Sequence, residues 1–161
     1  MLIDQALLHT LAVDALWSAL AAFGFGVLLN APRRALFGCA LLGAAGHGVR
    51  TFALEAGASL EGATLIGAFT VGVLAWVLAR WFRIPAVIFS ICGAVPLMPG
   101  TFAYRTVLSL IQITRVTDDP AGLELLMRAV ENFTRTTTTL AALAVGIAAP
   151  TLFLRRRRPV V

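Results

Sequence analysis

Lysine is absent from the 161 residues, and charge of either sign is scarce: thirteen arginines and eight acids make up 13% of the chain. Soluble domains carry about 25% charged residues, so this chain could not cover a soluble surface. Cysteine is nearly absent too. Cys39 and Cys92 both fall inside apolar runs, where a thiol reads as a small buried residue. A disulfide scaffold is thereby excluded. The two histidines and two cysteines make no metal-ligand cluster, and the sequence holds no phosphate loop and no nucleophile triad. No metal, no cofactor and no enzymatic activity are therefore expected. Asp14, Ser18 and His47 do not make a recognisable hydrolase set, so a membrane enzyme using His47 and Asp14 is a minor reading. The net charge of +5 and a pI near 11 raise the question of nucleic acid. The arginines flank apolar stretches, with no soluble module to present them, so no nucleic-acid partner is expected. Asp4 stands before the first apolar stretch with no basic residue ahead of it, a poor signal peptide.

What the chain has is apolar length. Apolar residues make up 59% of it, against about 45–50% in soluble domains even with glycine counted. They lie in runs joined by thin polar connectors. This is the composition of an integral membrane protein, and residues 1–161 are expected to form one transmembrane domain. A spanning helix needs about 20 mostly apolar residues. Five stretches qualify: 7–29, 35–54, 60–79, 86–113 with an interruption at 96–100, and 132–154. The fold class is all-α with five transmembrane helices. Asn30-Ala-Pro32 closes the first, since asparagine can end a helix and proline cannot continue one. Asp119-Pro120 reads as an N-cap and first-turn pair, and 123–131 as a short interfacial helix before the fifth span. Glu124–Arg128 and Glu131–Arg135 are i,i+4 pairs in the favoured order. No internal repeat is present.

Arginine placement sets orientation. Arg33, Arg34, Arg80, Arg83 and Arg155 to Arg158 fall on one side with no acid, whereas Asp4, Glu55, Glu61, Asp118, Asp119 and Glu124 fall on the other. The N-terminus is expected outside and the C-terminus in the cytoplasm, the arginine tail lying near anionic lipid.

Ionisable residues inside a span are costly, so each is a site candidate. Asp14, His47, Arg50 and Arg105 are the clear ones, and Arg135 sits nearer the outer end. Gly43, Gly46, His47 and Arg50 share one helix face. That face reads either as a packing seam with a satisfied histidine or as a polar face on a substrate path where His47 titrates near neutral pH. A buried Asp14–Arg50 or Asp14–His47 pair is expected, since an unpaired charge there is expensive. Ala40, Ala44 and Gly48, and Ala68, Gly72, Ala75 and Ala79, read as small-residue packing stripes. Thr136 to Thr139 read as threonines bonding back to the preceding turn.

The stretch Gly93-Ala-Val-Pro96-Leu-Met-Pro99-Gly100-Thr101 is the most informative. From Pro85 to Val95 is eleven residues, about 16 Å of helix, near half of a ~30 Å core. The break is therefore expected at mid-membrane, where irregular backbone must face protein or a wet cavity. A second half-helix follows, with its free N–H groups and positive dipole end at the break. Arg105 lies one turn further on, with Tyr104 beside it. A half-helix N-terminus beside an intramembrane arginine suits a carboxylate, as in transporters with discontinuous helices. A proline kink made for packing, with Arg105 snorkelling outward, is the other reading. Pro96, Pro99, Gly100, Thr101, Tyr104 and Arg105 are the candidate substrate-binding residues, with His47, Arg50 and Asp14 as a charge network for proton coupling. Arg105, Ser109 and Gln112 continue along one face, as a wet exit path needs.

Asn30-Ala-Pro-Arg-Arg-Ala-Leu36, Cys39-Ala-Leu-Leu-Gly43, Gly46-His-Gly-Val-Arg50, Val95-Pro-Leu-Met-Pro-Gly100 with Tyr104, and Asn132-Phe133 together resemble the threonine/serine exporter family. The likeness covers nearly the whole chain and is to the family's C-terminal half as a separate small subunit, the type found in two-component bacterial succinate exporters. The run at 134–139 is more polar than the family pattern. The resemblance implies a multi-pass protein of the bacterial inner membrane that exports a small carboxylate: succinate, threonine, serine or similar. It also implies a larger five-span partner subunit, with higher oligomers left open. That partner corresponds to the N-terminal half of fused members, which would start in the cytoplasm and end outside, and this chain, starting outside and ending inside, would complete it. The competing expectation is a non-transporting scaffold that stabilises a partner carrying the pathway.

Overall fold

The computed structural model describes residues 5–114 and 120–154. Among them there are six α-helices and no strands: α1 (Gln5–Leu28), α2 (Arg33–Glu55), α3 (Leu60–Phe82), α4 (Ala86–Ala94), α5 (Gly100–Ile113) and α6 (Pro120–Leu154), with a 3₁₀ turn at Val95–Leu97.

Each boundary has a local cause. Asn30 takes φ 55° after α1, and the Ala31 N–H reaches back to the Gly26 carbonyl at 2.9 Å. Pro32 then caps α2. Asparagine tolerates that left-handed geometry better than most residues. Ser59 opens α3 by accepting the Gly62 N–H on its hydroxyl at 3.1 Å, the usual serine N-cap bond. Arg83, at φ 54°, ends α3, and Pro85 stands just ahead of α4.

The chain forms two compact units: 5–97 with 142–154, and 98–114 with 120–141. In the first, α2 is the central helix, in contact with α1, α3 and α4. Leu42, Val71, Phe89 and Leu97 are wholly buried there, as are Cys39 and Cys92, both free thiols. The C-terminal part of α6 lies on α3. Gly146 makes that approach possible, since a Cβ there would stand 2.7 Å from the Leu65 carbonyl oxygen and 2.6 Å from Ala68 Cβ. Of the α3 stripe, Ala68, Gly72 and Ala75 are buried, as its spacing predicts, and Ala79 is half-buried. The α2 stripe is different. Ala40, Ala44 and Gly48 are only half-buried, and nothing lies within 4 Å of a Cβ built on Gly48. The seam on α2 runs instead through Gly38, Leu42, Gly43 and Gly46, because the helix is rotated to bring that face to its three neighbours.

Among the described residues, three helices are long and apolar enough to cross a membrane, over Leu8–Leu28, Leu60–Phe82 and Pro120–Phe153, and the bent pair Ala86–Leu97 with Gly100–Ile113 makes a fourth when taken as one span. The expected second span, α2, does not reach that apolarity. It carries His47, Arg50 and four glycines. A helix surrounded by other helices tolerates such residues, since they face protein and not lipid.

Two sequence expectations change. The interruption lies at 95–99, not 96–100, because Gly100 is already the first residue of α5. The fifth span and the expected interfacial helix are one helix of 35 residues. No proline interrupts it before Pro150. Glu124–Arg128 (2.6 Å) and Glu131–Arg135 (2.9 Å) bridge successive turns along it. Thr134, Thr136, Thr137 and Thr138 donate their hydroxyls to carbonyls four residues back, as the threonine run suggested. Thr139 is the exception: it is wholly buried, and its hydroxyl has no partner among the described residues. The N-cap expected at Asp119 and the arginine tail lie outside the described residues.

Candidate functional site

Within the second unit, α5 and the first part of α6 enclose a cavity of about 450 Å³. From α5 come Phe102, Arg105, Leu108, Ser109 and Gln112, and from α6 come Leu125, Arg128, Glu131, Asn132 and Arg135. The α5 residues recur every three or four positions, so they share one face. The Arg135 guanidinium lies 5.8 Å from the Phe102 ring, so the start of α5 meets the later part of this α6 segment. The two helices therefore run as an antiparallel hairpin, and Arg105 lies about one turn along from the level of Arg135.

Three guanidinium groups and one carboxylate line this space. Arg128 is held by Glu124 and Arg135 by Glu131, each on its own helix. Arg105 has no acid among the described residues. Ser109 is buried, and Asn132 donates its amide N–H to the Arg128 carbonyl at 2.8 Å. A cavity with an unpaired guanidinium, a hydroxyl and two carboxamides can bind an anion, because charge-assisted hydrogen bonds to a carboxylate are the strong ones.

The N-terminus of α5 is capped by no side chain. The Gly100 N–H is taken by the Met98 carbonyl (2.9 Å) and the Ala103 N–H by that of Pro99 (3.1 Å). Helix geometry leaves Thr101 and Phe102 as the amides without a partner four residues back. Thr101 and Gly100 are exposed, and Pro99 is buried. Tyr104 is 66% exposed and is not among the cavity residues; Phe102 is the aromatic that lines it. Sequence reasoning named Arg135 only as an ionisable residue near the outer end of its span and missed Phe102 and the other α6 residues. Their signal was the common face of Arg128, Asn132 and Arg135, at i, i+4 and i+7.

A second polar group lies in the first unit. Thr51 on α2 donates its hydroxyl to Asp14 Oδ2 of α1 at 3.0 Å. His47 Nδ1 is 4.0 Å from the same oxygen and 3.4 Å from the Thr51 hydroxyl. Thr51 can thus give its proton to the carboxylate and accept one from the imidazole. Of the two pairs expected for Asp14, the structure forms the one with His47. Arg50 does not pair with Asp14. Its Nη1 donates to the Leu97 carbonyl at 3.1 Å, and its Nε is buried without a partner among the described residues. That carbonyl closes the 3₁₀ turn, where the helix ending at the break leaves backbone acceptors free. Gly67 lets α2, α3 and the turn converge there, since a Cβ on it would stand 2.6 Å from the Gly46 carbonyl oxygen, 3.0 Å from Leu97 and 3.1 Å from Arg50. Pro96 is half-buried within the turn.

Apolar spans, a helix interrupted at a proline pair and ionisable groups held between helices together describe a multi-pass membrane protein. The chain matches the family described as threonine/serine exporter, ThrE, over residues 14–153. It belongs to that family, which is one of transporters of small molecules at the cell membrane, not of enzymes. No solved structure matches it.

Proposed function

We propose that this chain is one subunit of a secondary transporter that exports small carboxylates from the bacterial cytoplasm: succinate or a similar dicarboxylate, with threonine and serine as further candidates. It works with a larger five-span subunit of the same family in the inner membrane. In this reading α1, α2, α3, the α4–α5 pair and α6 cross the bilayer, with the N-terminus outside and the C-terminus inside. The arginines after α1 and at the end of α3 support that orientation; of these, Arg80 packs its guanidinium 4.8 Å from the Trp76 ring.

The observation that carries the reading is Arg105, a guanidinium without an acid partner among the described residues, in a cavity of about 450 Å³. It holds the substrate carboxylate, assisted by Ser109 and Gln112. Pro96, Pro99 and Gly100 keep the helix interrupted, and the Thr101 amide adds its dipole. Asp14, His47 and Thr51 form a protonatable group for coupling to a proton gradient, and Arg50 holds the end of the broken helix. Tyr104 stands beside Arg105 in the chain but outside the cavity lining, where it would act on the substrate only at the cavity mouth.

The test is Arg105→Ala, reconstituted with the partner in liposomes at equal inserted protein. Carboxylate efflux is expected to fall at least tenfold. Efflux at the wild-type rate would remove the site. Full transport by the partner alone would make this chain a scaffold instead.

A further inference from the structure

Two of the three arginines lining the cavity are already spoken for. Arg128 is bonded to Glu124 and Arg135 to Glu131, and the Arg135 guanidinium is also set 5.8 Å from the Phe102 ring. Among the described residues no acid pairs with Arg105. Counting three guanidiniums against those two carboxylates leaves a net charge of +1 in and around the cavity. A singly charged carboxylate balances that charge. A dianion would bring in a second negative group where the other two lining cations, Arg128 and Arg135, are each already paired with a carboxylate. We infer that Glu131 is a specificity-determining residue that makes the α5–α6 cavity select monoanionic carboxylates over dianions, so that a dicarboxylate enters with one of its two groups protonated.

The geometry supports Glu131 over Glu124 for this role. Both are exposed acids at i−4 from an arginine, but Glu131 lines the cavity and Glu124 does not. The Glu131–Arg135 pair is half-exposed on the arginine side, and an exposed i,i+4 pair is weak. Removing the acid therefore frees Arg135 for a ligand without unfolding the helix. Arg135 then offers a second anion position about one turn along the hairpin from Arg105, and the local charge rises to +2.

This inference rests on the carboxylate reading of the cavity, and the experiment separates the two. Lactate and succinate binding to the full-length chain, assembled with its partner subunit in nanodiscs of zwitterionic lipid, is measured by titration calorimetry at pH 7.5, where succinate is a dianion, with the partner alone as the blank. Wild type is expected to bind lactate more tightly than succinate. Glu131→Gln is expected to shift the succinate-to-lactate affinity ratio at least tenfold toward succinate, and Glu131→Asp to keep the wild-type order. The ratio cancels any loss of folded protein, so a merely structural role for Glu131 would not move it. Arg105→Gln is expected to lose both ligands. A wild type that already prefers succinate, or a ratio unmoved by Glu131→Gln while Arg105→Gln still abolishes binding, overturns the inference alone. A wild type that binds neither ligand overturns the carboxylate reading and this inference with it.

Discussion

Thr51→Val tests the polar group between α1 and α2 with little change of shape. Valine keeps the volume and the β-branch and removes the hydroxyl that reaches Asp14 at 3.0 Å. In soluble proteins a hydrogen bond to a charged group contributes about 1.5–3 kcal/mol. Inside membrane proteins, measured couplings average only about 0.6 kcal/mol and reach about 1.7, because the unfolded state in the membrane also finds partners. The acceptor here is a carboxylate, which argues for the upper end. Its side chain is 37% exposed, which argues against the soluble figure. A coupling of about 1–1.5 kcal/mol between Thr51→Val and Asp14→Asn follows. It is measured by a double-mutant cycle on unfolding in mixed detergent micelles. A coupling below about 0.3 kcal/mol, the scatter of such cycles for independent sites, would show that this hydroxyl does not hold Asp14.

The same cycle run on Asp14→Asn with Arg50→Met is expected to give no coupling, because Arg50 turns to the Leu97 carbonyl and not to Asp14; coupling as large as that with Thr51 would contradict this arrangement. Gly146→Val is expected to destabilise by about 2–3 kcal/mol through overpacking, since its Cβ alone would meet Leu65 backbone at 2.7 Å. Thermal unfolding in detergent reads this, and an unchanged midpoint would mean that α6 does not rest on α3 there.

Much of this fold could be read from hydropathy and turn chemistry, because both act locally. Asn30 and Pro32 stop one helix and start the next through backbone geometry that two residues determine. Pro96, Pro99 and Gly100 interrupt an apolar stretch for the same kind of reason. Continuity of α6 was not legible, because the search for a span asks for apolar residues, whereas a helix asks only for its backbone bonds. Residues 120–131 are polar enough to fall outside an apolar run, yet nothing in them breaks the helix. Arg50 was legible as a buried charge but not its partner: a backbone carbonyl has no signature in sequence. The α5 side of the cavity shows in the spacing of Arg105, Ser109 and Gln112. Its α6 side does not, since Arg128 and Arg135 look like ordinary halves of surface ion pairs until α5 is laid against them.

Occupation of the cavity by a carboxylate is what the account most needs to establish. Leu108 lines the cavity and Val107, its neighbour, does not. With the buried Cys39 and Cys92 replaced by alanine, Leu108→Cys and Val107→Cys are each labelled with a charged, water-soluble thiol reagent in proteoliposomes. Labelling at 108 is predicted, together with its slowing by added carboxylate and the loss of that protection in an Arg105→Ala background; position 107 is predicted to show no protection. Labelling at 108 that carboxylate leaves untouched, in vesicles that still export it, would contradict the account.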